Sequence, residues 1–500
     1  MQSHIRQNRL IGIDVGTTVL KAAAFDVRSG VPIAFASRRL TVRTASGGVR
    51  EQSVVSLDRA LSSVLKDLRG DLTATWRNVS GIGLAAQGGS TIIADRRTGK
   101  ALTPMMLWND KRAIGFSSTV KDRTSVRFWR NRTLRDDPGA GLSRLLWLRK
   151  KHPKLLSDSN ILVGAGEYCF FHLTGEWRQD AGNALQIGCY NAGKRRIDQD
   201  LFDLVGMPIS FVAPMRSGHE THSLVRAAAD RLGLREGISV AGPYMDHEAG
   251  YMSAIGVSKR PLQVSLGTAW VGNFTLSSRS KWVSPFQLVL PAPVGRGSLV
   301  VQPLLTGNVA WDWALGRFLD RDHAKALRRA AMVFSAGLLP SSEFTAIPWL
   351  SVPNAIAPRG VPGACAYADD ADNIRGMAVS QVCELMRVLG AVIKKRKVDS
   401  IVLGGGASKG EFFRTLIAAL VHPLPVFHQC EDDIAGPRGT LLAFSEKTAR
   451  AKTRRVRVPA AGARRDVARV YEQYVDLFDK LYGKVPIAER LRFLGSALKT

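Results

Sequence analysis

The feature that most constrains the fold of this chain is a bend that occurs twice. Leu10–Asp26 reads LIGIDVGTTVLKAAAFD, two apolar extended runs wrapped around Gly16-Thr17-Thr18. Gln263–Leu276 reads QVSLGTAWVGNFTL, again two apolar runs around a Gly-Thr pair, Gly267-Thr268. Each pattern predicts a β-hairpin. They lie about half a chain apart, as a duplicated architecture would place them, and no repeat of about 20–50 residues suggests a solenoid. At 500 residues the chain exceeds a typical domain of roughly 100–200, so at least two domains are expected.

Strands followed by helices recur behind each hairpin. Ser56–Arg69 places Leu57, Leu61, Val64, Leu65 and Leu68 at helical spacing, with Ser56 as the expected N-cap. A buried strand, Gly81–Ala86, runs into Gln87-Gly88-Gly89-Ser90, and Ile238–Ala241 is a strand leading into a loop and an Ala/Gly-rich helix. Helical spacing returns at Asn373–Lys394, then VDSIVLGGG predicts a strand and EFFRTLIAALV a helix. The fold class is therefore α/β. The Pro/Gly/Ala-rich segment Phe344–Ala368 predicts a long loop, and a basic stretch, Arg450–Arg469, precedes a last helix with Val470, Tyr474, Leu477, Phe478 and Leu481 on one stripe.

Composition excludes several classes. With 45% hydrophobic residues the chain can bury a core. Five scattered cysteines, Cys169, Cys189, Cys365, Cys383 and Cys430, never form a CxxC pair and fit neither a disulfide scaffold nor a cysteine-rich zinc site. No apolar run of about 18 residues predicts a membrane span and no signal segment opens the chain, so a soluble cytoplasmic setting is expected. The net charge of +28 favours anionic ligands but does not identify one. The basic stretch lacks interleaved aromatic residues and a reader module, so nucleic acid is not an expected partner.

Four segments could carry chemistry. Asp14 ends the first strand just before Gly16-Thr17-Thr18; a carboxylate there needs a cation or donors, while the bend offers amides and hydroxyls to phosphoryl oxygens. Together they suit Mg²⁺ and a phosphate, and the second bend at Gly267-Thr268 could grip the same phosphate chain. Gly404-Gly405-Gly406 follows a strand and opens toward a helix, where missing side chains admit a nucleotide close to the backbone. The chain has no GxxxxGK[ST] segment. Asp246, between a strand and a helix, suits either a helix N-cap or a general base acting on a substrate hydroxyl. His219-Glu220-Thr221-His222 has a metal-like spacing without an evident third ligand and is not taken as a metal site.

The order of these pieces resembles the FGGY carbohydrate kinases of the actin-like ATPase superfamily over about Leu10–Phe444. Leu107-Trp108-Asn109-Asp110-Lys111-Arg112 is similar to the WNDxR segment of xylulokinase-type members. Ser143-Arg144-Leu145-Leu146-Trp147-Leu148 is similar to the family's K-L-x-W-L stretch, with Arg for Lys, and Leu173-Thr174-Gly175-Glu176 ahead of Asp180 resembles its LTGE…D segment. The resemblance implies two RNase H-like domains with ATP and a sugar in the cleft between them. It implies domains at 1–256 (sugar-binding), 257–448 (nucleotide-binding) and a basic segment with a terminal helix at 449–500.

It further implies that Asp14 positions Mg²⁺, that Gly16, Thr17, Thr18, Gly267 and Thr268 contact phosphates, and that Gly405 and Gly406 lie near the adenosine. Lys21 stands where the family often has a basic residue. Asp246 would be the catalytic base, with Gln87, Trp108, Asp110 and His247 lining the sugar pocket. The implied activity is ATP-dependent phosphorylation of a ketose or polyol hydroxyl, a pentulose being favoured, and a homodimer is left open. Departures are visible: Gln87-Gly88-Gly89-Ser90 replaces Gln-Met-His-Gly, Gly242-Pro243-Tyr244-Met245-Asp246 replaces Gly-Gly-x-Asp, Ser380-Gln381 replaces Glu-Gly, and no Gly-Glu-Arg segment is seen in Pro348–Gly363. A sugar- or nucleotide-binding protein of the same fold without turnover is the alternative.

Overall fold

The computed structural model describes residues 8–135, 139–277, 287–304, 306–341, 347–348, 369–395 and 397–482. The loop expected at Phe344–Ala368, Cys365, and the chain beyond residue 482 lie almost wholly outside these residues. The chain divides into two compact units. The first holds Met1–Ala254, Leu288–Leu299 and Asp433–Ala451; the second holds Ile255–Gln287, Val300–Asp432 and Lys452–Thr500.

Both predicted hairpins form. In the first unit Arg9–Val15 pairs antiparallel with Val19–Asp26, and Gly16 N–H closes the bend on Val19 O at 3.1 Å. Apolar residues fill nearly every inward position, with Ile11, Ile13, Val15, Leu20 and Ala22 fully buried. Val79–Ala86 and then Ser239–Met245 add in parallel, giving the six-strand order 222–223, 239–245, 79–86, 9–15, 19–26, 32–39. In the second unit, Pro261–Leu266 pairs antiparallel with Trp270–Leu276 and parallel with Ser400–Gly404, which pairs parallel with Val426–Gln429. Thr453–Arg455 closes that edge antiparallel, as His222–Ser223 does in the first sheet. Read from the hairpin outward the two sheets have the same plan, so the echo in the sequence is a duplicated RNase H-like topology.

The units are not continuous in sequence, unlike the consecutive segments 1–256, 257–448 and 449–500 expected. Asp433–Ala451 belongs to the first unit because glycines in its sheet leave room for backbone. A methyl on Gly12 would lie 1.9 Å from Pro437 O, one on Gly83 2.4 Å from Thr440 O, and one on Gly439 1.8 Å from Ala249 O. No side chain fits at these positions, so the short helix Ala435–Gly439 lies directly on the sheet. The described part of 449–500 otherwise belongs to the second unit, where helix Ala461–Tyr482 buries Tyr474 and Phe478 as its stripe predicts. There Tyr474 Oη donates to the buried Glu384 at 2.9 Å, which Arg387 also pairs at 2.6 Å.

Three local readings are corrected. The first long helix spans Val54–Leu72 and its cap is Ser53, whose hydroxyl accepts from Ser56 N–H, rather than Ser56 itself. Gly242–Met245 is strand rather than loop, with a register shift against its neighbour between Ala241 and Tyr244. Helix Asp370–Lys394 has the length and hydropathy of a membrane span, which the sequence reading did not anticipate. Most of it is buried inside the second unit, as for the core helix of a globular domain.

Candidate functional site

Strand register in the first unit aligns three carboxyl ends. Val15 lies beside Ala86, and Ala86 beside Met245. The residues flanking these ends are therefore neighbours: Asp14 just before the first end, Gln87 just after the second, Asp246 just after the third. Carboxyl ends of parallel strands are where α/β sheets place ligand-binding residues.

Asp14 is half-buried, but its Oδ1 is sealed from solvent without a hydrogen-bond partner. Burial pushes its pKa up to about 7; the charge of Asp246 adds to the rise and Lys21, its register partner, opposes it. Lys21 Nζ lies 4.0 Å from Asp433 Oδ1. Asp246 is the first residue of helix Asp246–Ala254, and its Oδ1 accepts from His247 N–H at 2.9 Å. Among the described residues no group of three or more His, Cys, Asp or Glu forms a ready metal cage. The sealed, unpartnered oxygen of Asp14 nevertheless fits a single cation held at this strand end.

Thr17, Gln87 and Trp108 form one chain of contacts. Thr17 Oγ1 donates to Gln87 Oε1 at 3.1 Å and accepts from Trp108 Nε1 at 3.3 Å. The Thr17 hydroxyl is thus turned toward Gln87, while Thr18 at the tip is exposed. Gln87 is buried and its Nε2 has no partner; Trp108 keeps 48% of its surface exposed, unusual for an indole inside a loop cluster. Asp110 is placed differently from the sequence expectation. Its carboxylate is fully covered and accepts from Arg50 N–H (2.7 Å) and from the Arg112 guanidinium (2.7 Å), which also binds Glu51. These donors hold its pKa below the usual carboxylate range against the burial that opposes them. Its oxygens shape the loop from beneath.

Sequence reasoning assigned no role to the side chains that brace this site. Arg144 is 2% exposed and its two Nη atoms donate to Gly89 O, Thr91 Oγ1 (3.3 Å), Leu107 O and Trp108 O (2.8 Å). It ties the Gln87–Ser90 loop to the Trp108 segment, and burial lowers its pKa to about 10. Asp180 caps helix Ala181–Ile187 by accepting from Gly182 and Asn183 N–H. Glu167 accepts from Gly164 N–H at 2.8 Å and Asn183 Nδ2 at 2.9 Å. Burial raises the pKa of both; the charge of Asp180 adds to the rise at Glu167 and that of Asp246 to the rise at Asp180. Burial, with the charge of Asp180, likewise raises Glu248 to about 8. The motif LTGE…D was the only signal for Asp180. His219 bonds Tyr244 Oη and Pro293 O, whereas His222 bonds Glu176, so the two histidines do not share a ligand.

The second unit carries the glycine segments. Gly405 has φ +88°, and a methyl there would lie 2.5 Å from Leu266 C; its N–H donates to Asp432. The Gly267 bend is held by Asn308 N–H donating to Gly267 O at 3.0 Å. A methyl on Gly406 would meet only Asn308 Nδ2, at 3.5 Å, so this backbone is open on one side. Beside it lies a cavity of ≈ 800 Å³ lined by Asn308, Trp311, Phe334, Gly406, Lys409 and Phe412. Phe334 and Phe412 stack at 3.9 Å and Trp311 lies 5.3 Å from Phe412. Apolar ring faces beside bare glycine backbone suit a planar heterocycle joined to a polyanion.

Residues 9–253 match the FGGY family of carbohydrate kinases, N-terminal domain. The chain is 25% identical over 342 residues to a probable L-xylulose kinase of Pasteurella multocida, covering 65% of this chain and 68% of that one. It is 26% identical over 214 residues to a glycerol kinase of Acinetobacter baylyi, covering 41% of this chain and 42% of the relative. In fold it matches the crystal structure of a xylulose kinase from Rhodospirillum rubrum with a TM-score of 0.82 at 18% identity, covering 95% of this chain and 99% of that one.

Proposed function

Since the chain belongs to the FGGY family of carbohydrate kinases, we propose that it transfers the γ-phosphoryl group of ATP to a hydroxyl of a ketose or polyol, a pentulose being favoured. The observation that carries this reading is the alignment of Asp14, Gln87 and Asp246 at three adjacent strand ends. Phosphoryl transfer needs little covalent chemistry from a protein and much positioning and charge neutralisation. One base, one cation-holding carboxylate and several backbone donors suffice.

Asp246 is the base. His247 N–H fixes Oδ1, which leaves Oδ2 to take the proton of the attacking hydroxyl. Asp14 would hold Mg²⁺ at its unpartnered Oδ1, and that ion, when bound, supplies charge neutralisation to the phosphoryl oxygens. Gln87 Nε2 is a buried donor with a vacant valence for an acceptor hydroxyl, and the exposed Trp108 ring offers the sugar an apolar face. His247, next to the base in sequence, would line the sugar pocket beside it. Gly16 and Thr18 receive phosphoryl oxygens at the first bend, Gly267 and Thr268 at the second, with Lys21 contributing positive charge. Gly405 and Gly406 with the aromatic cavity take the adenosine. Asp110 acts through Arg112 and Arg50, holding the loop that presents Trp108.

The experiment is Asp246→Ala in a coupled ADP-release assay over C3–C6 polyols and 2-ketoses. Turnover is expected to fall at least about 10³-fold, the upper range of general-base contributions. The nucleotide Kd, read by calorimetry, should stay within about twofold. Turnover near the parent rate would remove Asp246 from the mechanism; no turnover of the parent with any acceptor would favour a binding protein.

A further inference from the structure

The loop Gln87–Ser90 carries no side chain at two of its four positions, and the space beside them is filled from elsewhere. Helix Ala181–Ile187 sends Gln186 onto the loop. A methyl on Gly88 would lie 2.2 Å from Gln186 Nε2, and one on Gly89 would lie 2.3 Å from Gln186 Oε1. The carboxamide therefore lies along both glycines, in the volume that two side chains would otherwise take. Gly89 also has φ +73°, a conformation that disfavours any other residue.

The loop beneath is rigid. Gly89 N–H donates to Asn183 Oδ1 at 3.1 Å, Gly89 O accepts from Arg144, and Ser90 Oγ accepts from Ala165 N–H at 3.0 Å. By contrast, the Gln186 amide is weakly engaged. Its one hydrogen bond among the described residues runs from Nε2 to Met245 Sδ at 3.6 Å, a poor acceptor. The residue is half-buried, so its amide keeps access to solvent. A carboxamide with donor and acceptor capacity to spare is thus held against Gly88 and Gly89, one residue from Gln87. Met245, which it touches, immediately precedes Asp246.

We propose that Gln186 is a specificity-determining residue for the phosphoryl acceptor, reading neighbouring hydroxyls of a polyol or ketose through its C=O and N–H. This inference rests on the sugar-kinase reading for the identity of the acceptor. A carboxamide suits a vicinal diol because one hydroxyl can donate to Oε1 while the next accepts from Nε2. Gly88 and Gly89 make room for that head, and Gln87 Nε2 offers a second unpartnered amide to the same ligand. A site built to pair a hydroxyl rejects an analogue that lacks it, because its own polar group is then left unpaired.

The test compares the parent with Gln186→Leu, which keeps volume, and Gln186→Glu, which keeps shape and the acceptor but removes the amide donor. Acceptor Kd by calorimetry and kcat/KM by ADP release are measured over C3–C6 polyols, 2-ketoses and their monodeoxy analogues. The nucleotide Kd is the control for folding. Gln186→Leu should weaken the best acceptor by about 10–100-fold and flatten the ranking, so that one monodeoxy analogue binds the variant as well as the parent acceptor does. Gln186→Glu should fall between. Kd values and ranking unchanged within twofold in Gln186→Leu overturn the proposal, as does a parent that binds none of the panel. Should Gln186→Leu lose nucleotide binding, Gln186→Glu decides by the same criteria. Gln186-dependent binding without turnover would sink the kinase reading alone and leave this one standing.

Discussion

Replacing Asp14 with asparagine should make the ligand-free protein more stable while ending catalysis. Asn mimics the protonated carboxyl in shape, so the variant keeps the native packing of the neutral form. The folded protein holds the Asp14 proton up to about pH 7, whereas the unfolded chain releases it near 3.8. Between those values the native state binds one more proton, so stability falls as pH rises, by about 1.4 kcal/mol per unit. Asp14 keeps some solvent exposure, so the lower end of the range applies. The gap between Asp14→Asn and the parent should widen by about 2–3 kcal/mol from pH 5 to pH 8, levelling off above pH 7. Urea unfolding followed by tryptophan fluorescence, without Mg²⁺ or nucleotide, reads this directly; with an m-value of about 3 kcal/mol/M it is a midpoint difference near ~1 M. Other buried carboxyls titrate in both proteins and largely drop out of the comparison. Added Mg²⁺ should stabilise the parent increasingly with pH and leave the variant unmoved. A gap that does not change with pH, or a parent that gains on the variant toward pH 8, would show that Asp14 carries no such load.

Two further predictions concern the bracing of the site. Arg144→Met removes donors from Gly89 O, Thr91 Oγ1, Leu107 O and Trp108 O together; at about 1–3 kcal/mol for each buried group left unpaired, with partial relief by water, a loss of at least about 3 kcal/mol is expected in urea unfolding. Its acceptor KM should rise more than its nucleotide Kd, and equal changes in both would contradict its placement. Gly405→Ala forces a methyl to 2.5 Å from Leu266 C at φ +88°, which should weaken nucleotide binding at least about tenfold through strain of roughly 1–3 kcal/mol. Gly406→Ala, with open space beside it, should cost clearly less; the reverse order, measured by calorimetry, would mean that the cavity does not take the nucleotide.

The fold was legible because its determinants are local. A hairpin needs two apolar runs and a bend, and both are contiguous in Leu10–Asp26 and Gln263–Leu276. The division into units was legible only in outline. Nothing near Ala435 announces that it packs on a strand more than 400 residues earlier. The matching signal is the absence of side chains at Gly12 and Gly83, which looks locally like ordinary small residues in strands. The membrane-like hydropathy of Asp370–Lys394 was equally ambiguous, since burial in a core and burial in a bilayer select the same residues. The cap of the first long helix was displaced by three residues, from Ser56 to Ser53, because both are good caps and only geometry separates them.

The candidate site divides along the same line. Asp14, Gln87 and Asp246 each stand at the end of an apolar strand, and a parallel sheet brings such ends together in register. Their convergence therefore follows from the topology once the strands are known. Asp110 shows the limit of motif reasoning, for the motif identifies the residue but not which way its carboxylate turns. Here Arg112 and Arg50 claim it, while the Trp108 ring nearby faces outward. Gln186 is the converse case. The glycines at 88 and 89 read as a loss of acceptor contacts when taken alone, whereas the fold supplies a carboxamide to that space from a helix almost 100 residues later. A loss and its compensation that are distant in sequence and adjacent in space can be matched only through the fold.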